Sequence, residues 1–192
     1  MIKIAIFASG AGTNAAKIIE FFGRRTDISV DLILSNKSQA GVLDIARENA
    51  IDSMVFSRDR FLNEADKLLA ELFTRKIDFV VLAGFLLKLP QELVSAFEGR
   101  ILNIHPSLLP EFGGKGMYGD HVHRAVLEAG KSKTGITIHQ VNNEYDRGKI
   151  VFQEEIAISE NETLESLKKK IQVLEHKFFP QVVESEIKKL TE

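Results

Sequence analysis

Residues 3–22 read KIAIFASGAGTNAAKIIEFF, and this stretch decides the fold class. Lys3–Ala8 is an apolar run of strand length that ends at Gly10-Ala11-Gly12. From Asn14 to Phe22 the apolar residues fall at Ala15, Ile18, Ile19 and Phe22, the spacing of one helix face, and Gly23 stops the pattern. A buried strand that turns through glycines into an amphipathic helix is the opening unit of an α/β sheet.

The alternation continues outward from that unit. Ser29–Leu34 reads as a second strand, 40–49 as a helix, and Ser53–Phe56 as a short strand. A single amphipathic helix is expected over about 60–76, with Leu68, Leu69, Leu72 and Phe73 on one side. Asp78–Ala83 (DFVVLA) is nearly continuous in apolar residues, as a central parallel strand covered on both faces requires. Gln91–Phe97 reads as a short helix after Pro90, and Arg100–Ile104 as a further buried strand running into His105-Pro106. A long glycine-rich loop, Ser107–Gly119, precedes a helix at His121–Ala129. Loops of such length in compact domains are usually functional. Gly135–Val141 and Lys149–Ile158 alternate apolar and polar residues, which suits an antiparallel pair. The tail 163–190 is helical in pattern, with a break expected at Pro180. The expected fold is a single α/β domain over 1–192, a Rossmann-like, mostly parallel sheet flanked by helices, with antiparallel strands in the C-terminal half. Its expected halves are 1–100 and 101–192.

The 192 residues are 44% hydrophobic and 27% charged, the balance of a globular protein rather than a disordered one. A formal charge of −2 argues against general nucleic-acid binding. There is no cysteine, which removes disulfides, thiolate metal sites and cysteine nucleophiles. The first apolar run is too short to span a bilayer and lacks the layout of a secretion signal, so a cytoplasmic protein with no membrane partner is expected.

Ser9–Asn14 joins the first strand to the first helix. Glycines let a ligand approach the backbone, and the free N–H groups of a helix start favour an anion, so the loop suits a phosphate cradle. The alternative is a tight turn with no ligand. The loop also fits a relaxed Gly-x-Gly-x-x-Ala dinucleotide fingerprint, although Ser35-Asn36-Lys37 stands where an NAD site would place an acidic residue.

Further along stands Asn103-Ile104-His105-Pro106-Ser107-Leu108-Leu109-Pro110. Positions two apart on a strand share a face, so Asn103 and His105 project together at the strand end where open α/β sheets bind ligands. Taken singly, either could be a satisfied structural residue.

These motifs together resemble the folate-dependent glycinamide ribonucleotide transformylases, the phosphoribosylglycinamide formyltransferase family. The resemblance runs through GAGTN, VVLAGFLLKLP, NIHPSLLP, TGITIHQVNNEYDRGKIV and EHKFFP, nearly the whole chain. It implies the formyltransferase fold and transfer of a formyl unit from 10-formyltetrahydrofolate to the amine of glycinamide ribonucleotide in purine biosynthesis. It implies a phosphate-binding half over 1–100, a catalytic and folate-binding half over 101–192, no metal, and a monomer or homodimer. Asn103, His105 and Asp146 match the family's catalytic residues. Gly12, Thr13 and Asn14 match its substrate-phosphate loop, and Glu175 resembles the residue holding the ribose. Leu86, Leu87, Lys88 and Leu89, with Asn142, Asn143, Glu144 and Tyr145, resemble its folate-binding segments. Arg58 or Arg60 would stand near the folate tail.

The chemistry suits these residue types. An amine attacking a formyl carbonyl creates an oxyanion to which the Asn103 amide can donate, and His105 can move protons. A carboxylate at Asp146 is expected to raise the His105 pKa and keep it charged near neutral pH. The segment 113–123 (GGKGMYGDHVH) departs from the family's shorter Pro-Gly turn. Its His121 and His123, with His105 and His139, allow a metal-site reading. A formyltetrahydrofolate hydrolase, a formyltransferase acting on another amine such as that of methionyl-tRNA, and a non-enzymatic dinucleotide-binding regulator are the alternatives. The tRNA enzyme would need an additional C-terminal domain and the hydrolase an additional N-terminal one.

Overall fold

The computed structural model describes residues 1–190, so the last two positions of the expected 1–192 domain lie outside the described residues. β1 (Ile2–Phe7), β2 (Ile28–Ser35), β3 (Asp52–Val55), β4 (Phe79–Leu82), β5 (Ile101–His105), β6 (Lys133–Gln140) and β7 (Ile150–Ala157) form one sheet in the order β3-β2-β1-β4-β5-β6-β7. The first four pairings are parallel, and β5–β6 and β6–β7 are antiparallel. The sheet therefore runs without interruption through both halves of the chain.

Strand alternation explains the continuous apolar runs. Ile4 and Ile6 of β1 pack on one face with Ala15 and Ile18 of α1 (Thr13–Phe22). Ala5 and Phe7 pack on the other face with Phe56, Phe61 and Leu68. Burial of both faces demands an apolar residue at every position. From β1 the chain builds one way to β2 and β3, then returns to place β4 on the other side of β1. That reversal opens a crevice beyond the strand ends, the site at which open α/β sheets take ligands.

Two helix expectations are corrected. The single helix over 60–76 is two, α3 (Arg58–Asn63) and α4 (Ala65–Thr74), divided at Glu64 with φ −134° and ψ 36°. α3 is capped by Ser57, and Phe61 is held edge-on against Phe7 and Phe56. Those constraints come from the ends of β1 and β3, and a local periodicity carries no trace of them. The expected break at Pro180 is also absent, since α7 (Leu164–Lys188) runs through it. An interior proline costs a helix about 3 kcal/mol. Leu167 and Ile171 before it, and Phe179 and Val183 around it, are all buried in the core. At about 1.5–3 kcal/mol each, their burial outweighs the lost hydrogen bond.

The short helices α2 (Val42–Glu48) and α5 (Gln91–Ala96) and the helix α6 (Asp120–Glu128) complete the layers. Among the described residues, no helix is long and apolar enough to cross a membrane.

Candidate active site

β5 delivers Asn103 and His105 to the crevice. Its antiparallel partner β6 sets His139 directly opposite Asn103, and the Asn103 Nδ2 lies 3.0 Å from the His139 Nε2. His139 is buried, and its Nδ1 lies 3.0 Å from the carbonyl oxygen of Gln140. The turn between β6 and β7 then carries Asp146 back over the pair. That turn closes tightly at Gly148, where a Cβ would meet the Gln140 carbonyl oxygen at 1.6 Å. Asp146 itself has φ 53°, a left-handed conformation that Asp tolerates better than most residues.

The Asp146 carboxylate sits among donors. Its Oδ2 accepts the Gly114 N–H at 2.8 Å and lies 3.7 Å from His105 Nδ1, and its Oδ1 lies 3.6 Å from His139 Nε2 and 3.5 Å from Asn103 Nδ2. Burial pushes its pKa up, but the surrounding imidazoles and the Gly114 N–H outweigh that and hold it below the usual carboxylate value. Asn103, His105 and Asp146 are thus brought together, with His139 completing the group. In the sequence, His139 stands out only as a metal candidate. No local pattern marks its role in this group, because only the antiparallel register of β5 and β6 sets it across from Asn103.

His105 lies between two acceptors, the carbonyl oxygen of Phe112 at 2.8 Å from Nε2 and the Asp146 carboxylate beyond Nδ1. The expectation that Asp146 keeps its pKa raised is corrected. Burial is the largest influence and holds His105 below the ordinary imidazole value, with Asp146 only partly opposing it. The arrangement suits proton transfer: a neutral ring at rest gains stabilisation from both acceptors once it takes up a proton.

A cleft of about 760 Å³ extends from this group. Along one wall, Asn14 of α1 donates from Nδ2 to the Glu175 Oε2 of α7 at 2.9 Å, and Gln172 Nε2 donates to Thr13 Oγ1 at 3.3 Å. Asn14 Oδ1 is buried without a hydrogen-bond partner. Burial raises the Glu175 pKa, with the Asn14 hydrogen bond partly offsetting it. Gly12 turns the chain into α1 with φ 80°. The first N–H groups of α1 have no partner within the helix and are available to an anion.

The resemblance-based folate residues divide between two cavities. Leu86, Leu87, Tyr145 and Arg58 line the main cleft. Leu87, Lys88, Leu89, Asn142, Glu144 and Tyr145 line an adjoining recess of about 70 Å³, which also reaches Asn103, His139 and Asp146. Asn143 is exposed and lines neither. Of the two arginines, Arg58 faces the cleft, whereas Arg60 is turned to Glu64 at 2.9 Å and lies over the Phe56 ring.

The glycine-rich segment forms a third wall, with Gly114–Asp120 and His123 along the cleft. His121 is exposed and stacks edge-on with Tyr118, whereas His123 is buried, which depresses its pKa. Among the described residues, no three His, Cys, Asp or Glu side chains are grouped to hold a metal ion.

The family described as "Formyl transferase" matches residues 2–183. The chain is 46% identical over 189 residues to "Phosphoribosylglycinamide formyltransferase, chloroplastic" of Arabidopsis thaliana, covering 94% of this chain and 64% of that protein. It is 35% identical over 187 residues to the phosphoribosylglycinamide formyltransferase of Bacillus subtilis (strain 168), covering 95% and 93%. The chain thus spans less than two thirds of the plant relative and nearly all of the bacterial one. The crystal structure of phosphoribosylglycinamide formyltransferase from Bacillus halodurans superposes with a TM-score of 0.86 at 36% identity, over 94% of this chain and 93% of that one.

Proposed function

The chain belongs to the formyl transferase family, and from that premise we propose that it transfers the formyl group of 10-formyltetrahydrofolate to the amine of glycinamide ribonucleotide, as one domain acting in the cytoplasm. The observation that carries this reading is the continuity of the cleft. It joins an anion-suited helix start and the Asn14–Glu175 pair to Asn103, His105 and Asp146, and an apolar-floored recess opens beside Asn103 and Asp146.

In this reading the ribonucleotide phosphate lies at Gly12–Asn14, its ribose hydroxyls at Glu175, and the pterin in the recess between Leu87–Leu89 and Asn142–Tyr145. The amine attacks the formyl carbonyl beside Asn103. Before that, Asn103 Nδ2 has His139 as a neighbour; turning it towards the developing oxyanion supplies a donor whose loss in comparable sites costs about 10²–10³ in rate. His105 accepts the proton leaving the amine, and Asp146 stabilises the resulting imidazolium. The proton then passes to the departing folate nitrogen, and no covalent enzyme intermediate is needed.

The test follows the absorbance of 10-formyltetrahydrofolate as it loses its formyl group, with and without glycinamide ribonucleotide. Turnover dependent on the ribonucleotide is expected. Equal deformylation without it would make the protein a hydrolase and overturn the proposal.

A further inference from the structure

Four Arg and Lys side chains line the cleft among the described residues: Arg58, Lys115, Lys168 and Lys169. Arg58 belongs to the β3–α3 corner and Lys115 to the glycine-rich segment. The other two stand in the run Lys168-Lys169-Lys170 near the start of α7, which sequence alone reads as a solvated helix face. The structure separates the three. Lys168 is engaged by Asp120 at 2.9 Å and Glu165 at 3.6 Å, and Lys170 by Glu162 at 2.5 Å. Lys169 faces the cleft and has no ion-pair partner among the described residues.

Its position on α7 gives the lack of a partner its meaning. Residues three apart on a helix are surface neighbours, about 5–6 Å between Cβ atoms. Lys169, Gln172 and Glu175 therefore form one row, and the second and third already reach Thr13 and Asn14 of the loop. Lys169 continues the row on its N-terminal side with a flexible stem and a point charge, the form in which lysine meets phosphate. The loop Ser9–Asn14 has no charged side chain of its own. The nearest lysine on α1, Lys17, is held by Glu20 at 2.7 Å. A phosphate dianion at this loop would meet the α1 backbone dipole but no loop cation, with the Glu175 carboxyl in the same wall.

We infer that Lys169 is a specificity-determining residue that swings over the α1 start and supplies the positive charge recognising the phosphate monoester of the substrate. The inference rests on the proposed reading of the loop as a phosphate site. It makes the phosphate, rather than the ribose or the amine, the group that Lys169 distinguishes.

Calorimetric titration of the wild type, K169M, K169R and K170M with glycinamide ribonucleotide and its dephosphorylated riboside tests it. K169M should bind the ribonucleotide about tenfold more weakly, the effect of one lost charge-assisted contact of about 1.4 kcal/mol. Binding of the riboside should be unchanged, K169R should restore most of the loss, and K170M should behave as wild type. Equal loss for both ligands, or no loss for the ribonucleotide, would overturn the inference while leaving the proposed function standing. A wild type that prefers neither ligand would overturn both.

Discussion

Replacing Asp146 by Asn removes one charge and little else. Asn tolerates the left-handed backbone that Asp146 adopts at φ 53°. Its side-chain oxygen can still accept the Gly114 N–H now held at 2.8 Å. What disappears is the attraction between the carboxylate and a protonated His105, whose Nδ1 lies 3.7 Å away. At an effective dielectric constant of about 20, unit charges at that separation attract by about 4 kcal/mol. The Asp146 side chain is 11% exposed, so solvent screens only part of this. Each 1.36 kcal/mol is worth about tenfold in rate, so kcat should fall by about 10²–10³. The direction of the His105 pKa sharpens the expectation. Burial already holds it low, and Asp146 is the principal influence opposing that, so its loss leaves proton uptake still less favourable. The assay is steady-state formyl transfer across pH, with circular dichroism and a thermal melt to establish the fold. KM for both substrates should change little. Retention of more than about a tenth of wild-type kcat would refute the argument. A rise in KM with kcat intact would move Asp146 from chemistry to binding.

Gly12→Ala should destabilise the fold. Its φ of 80° disfavours any side chain, and the new Cβ would stand 2.7 Å from the Val42 side chain and 2.9 Å from Ile45. Left-handed strain of about 1–2 kcal/mol plus a similar overpacking cost predicts a melting point lower by about 4–16 °C; a shift below about 1 °C would contradict it. For His105 and His123, burial lowers both folded pKa values below the unfolded value of 6.5. The unfolded chain then binds protons first, so their stability contribution is complete above pH 6.5 and is lost as pH falls through the folded values. The melting point should drop between neutral and mildly acidic pH, and His123→Asn should flatten that drop; an unchanged slope would remove His123 from the account. Glu175 has the opposite sign. Its raised pKa favours the fold at acid pH and costs stability as pH rises through the folded value. Glu175→Gln should therefore melt higher than wild type at neutral pH while binding glycinamide ribonucleotide more weakly, and a lower melting point would show the charge to be compensated.

Whatever depends on neighbours along the chain is legible in the sequence. The unbroken apolar runs at Ile4–Phe7 and Phe79–Leu82 marked strands buried on both faces, and the switch to helical spacing after Gly12 marked α1. The two-residue spacing of Asn103 and His105 put both on one side of β5, and the motifs from GAGTN to EHKFFP indicated the family. The tertiary structure alone decided what depends on distant partners. His139 enters the site because β6 pairs with β5 in one register, and a shift by one residue would have turned it away. Arg58 rather than Arg60 faces the cleft because Glu64 and Phe56 hold Arg60. α7 runs through Pro180 because the core on either side holds it. The His105 pKa is lowered rather than raised because burial outweighs a carboxylate visible in the sequence. Local patterns record the preferences of a segment, whereas register, burial and charge pairing are set by residues brought together only when the sheet closes.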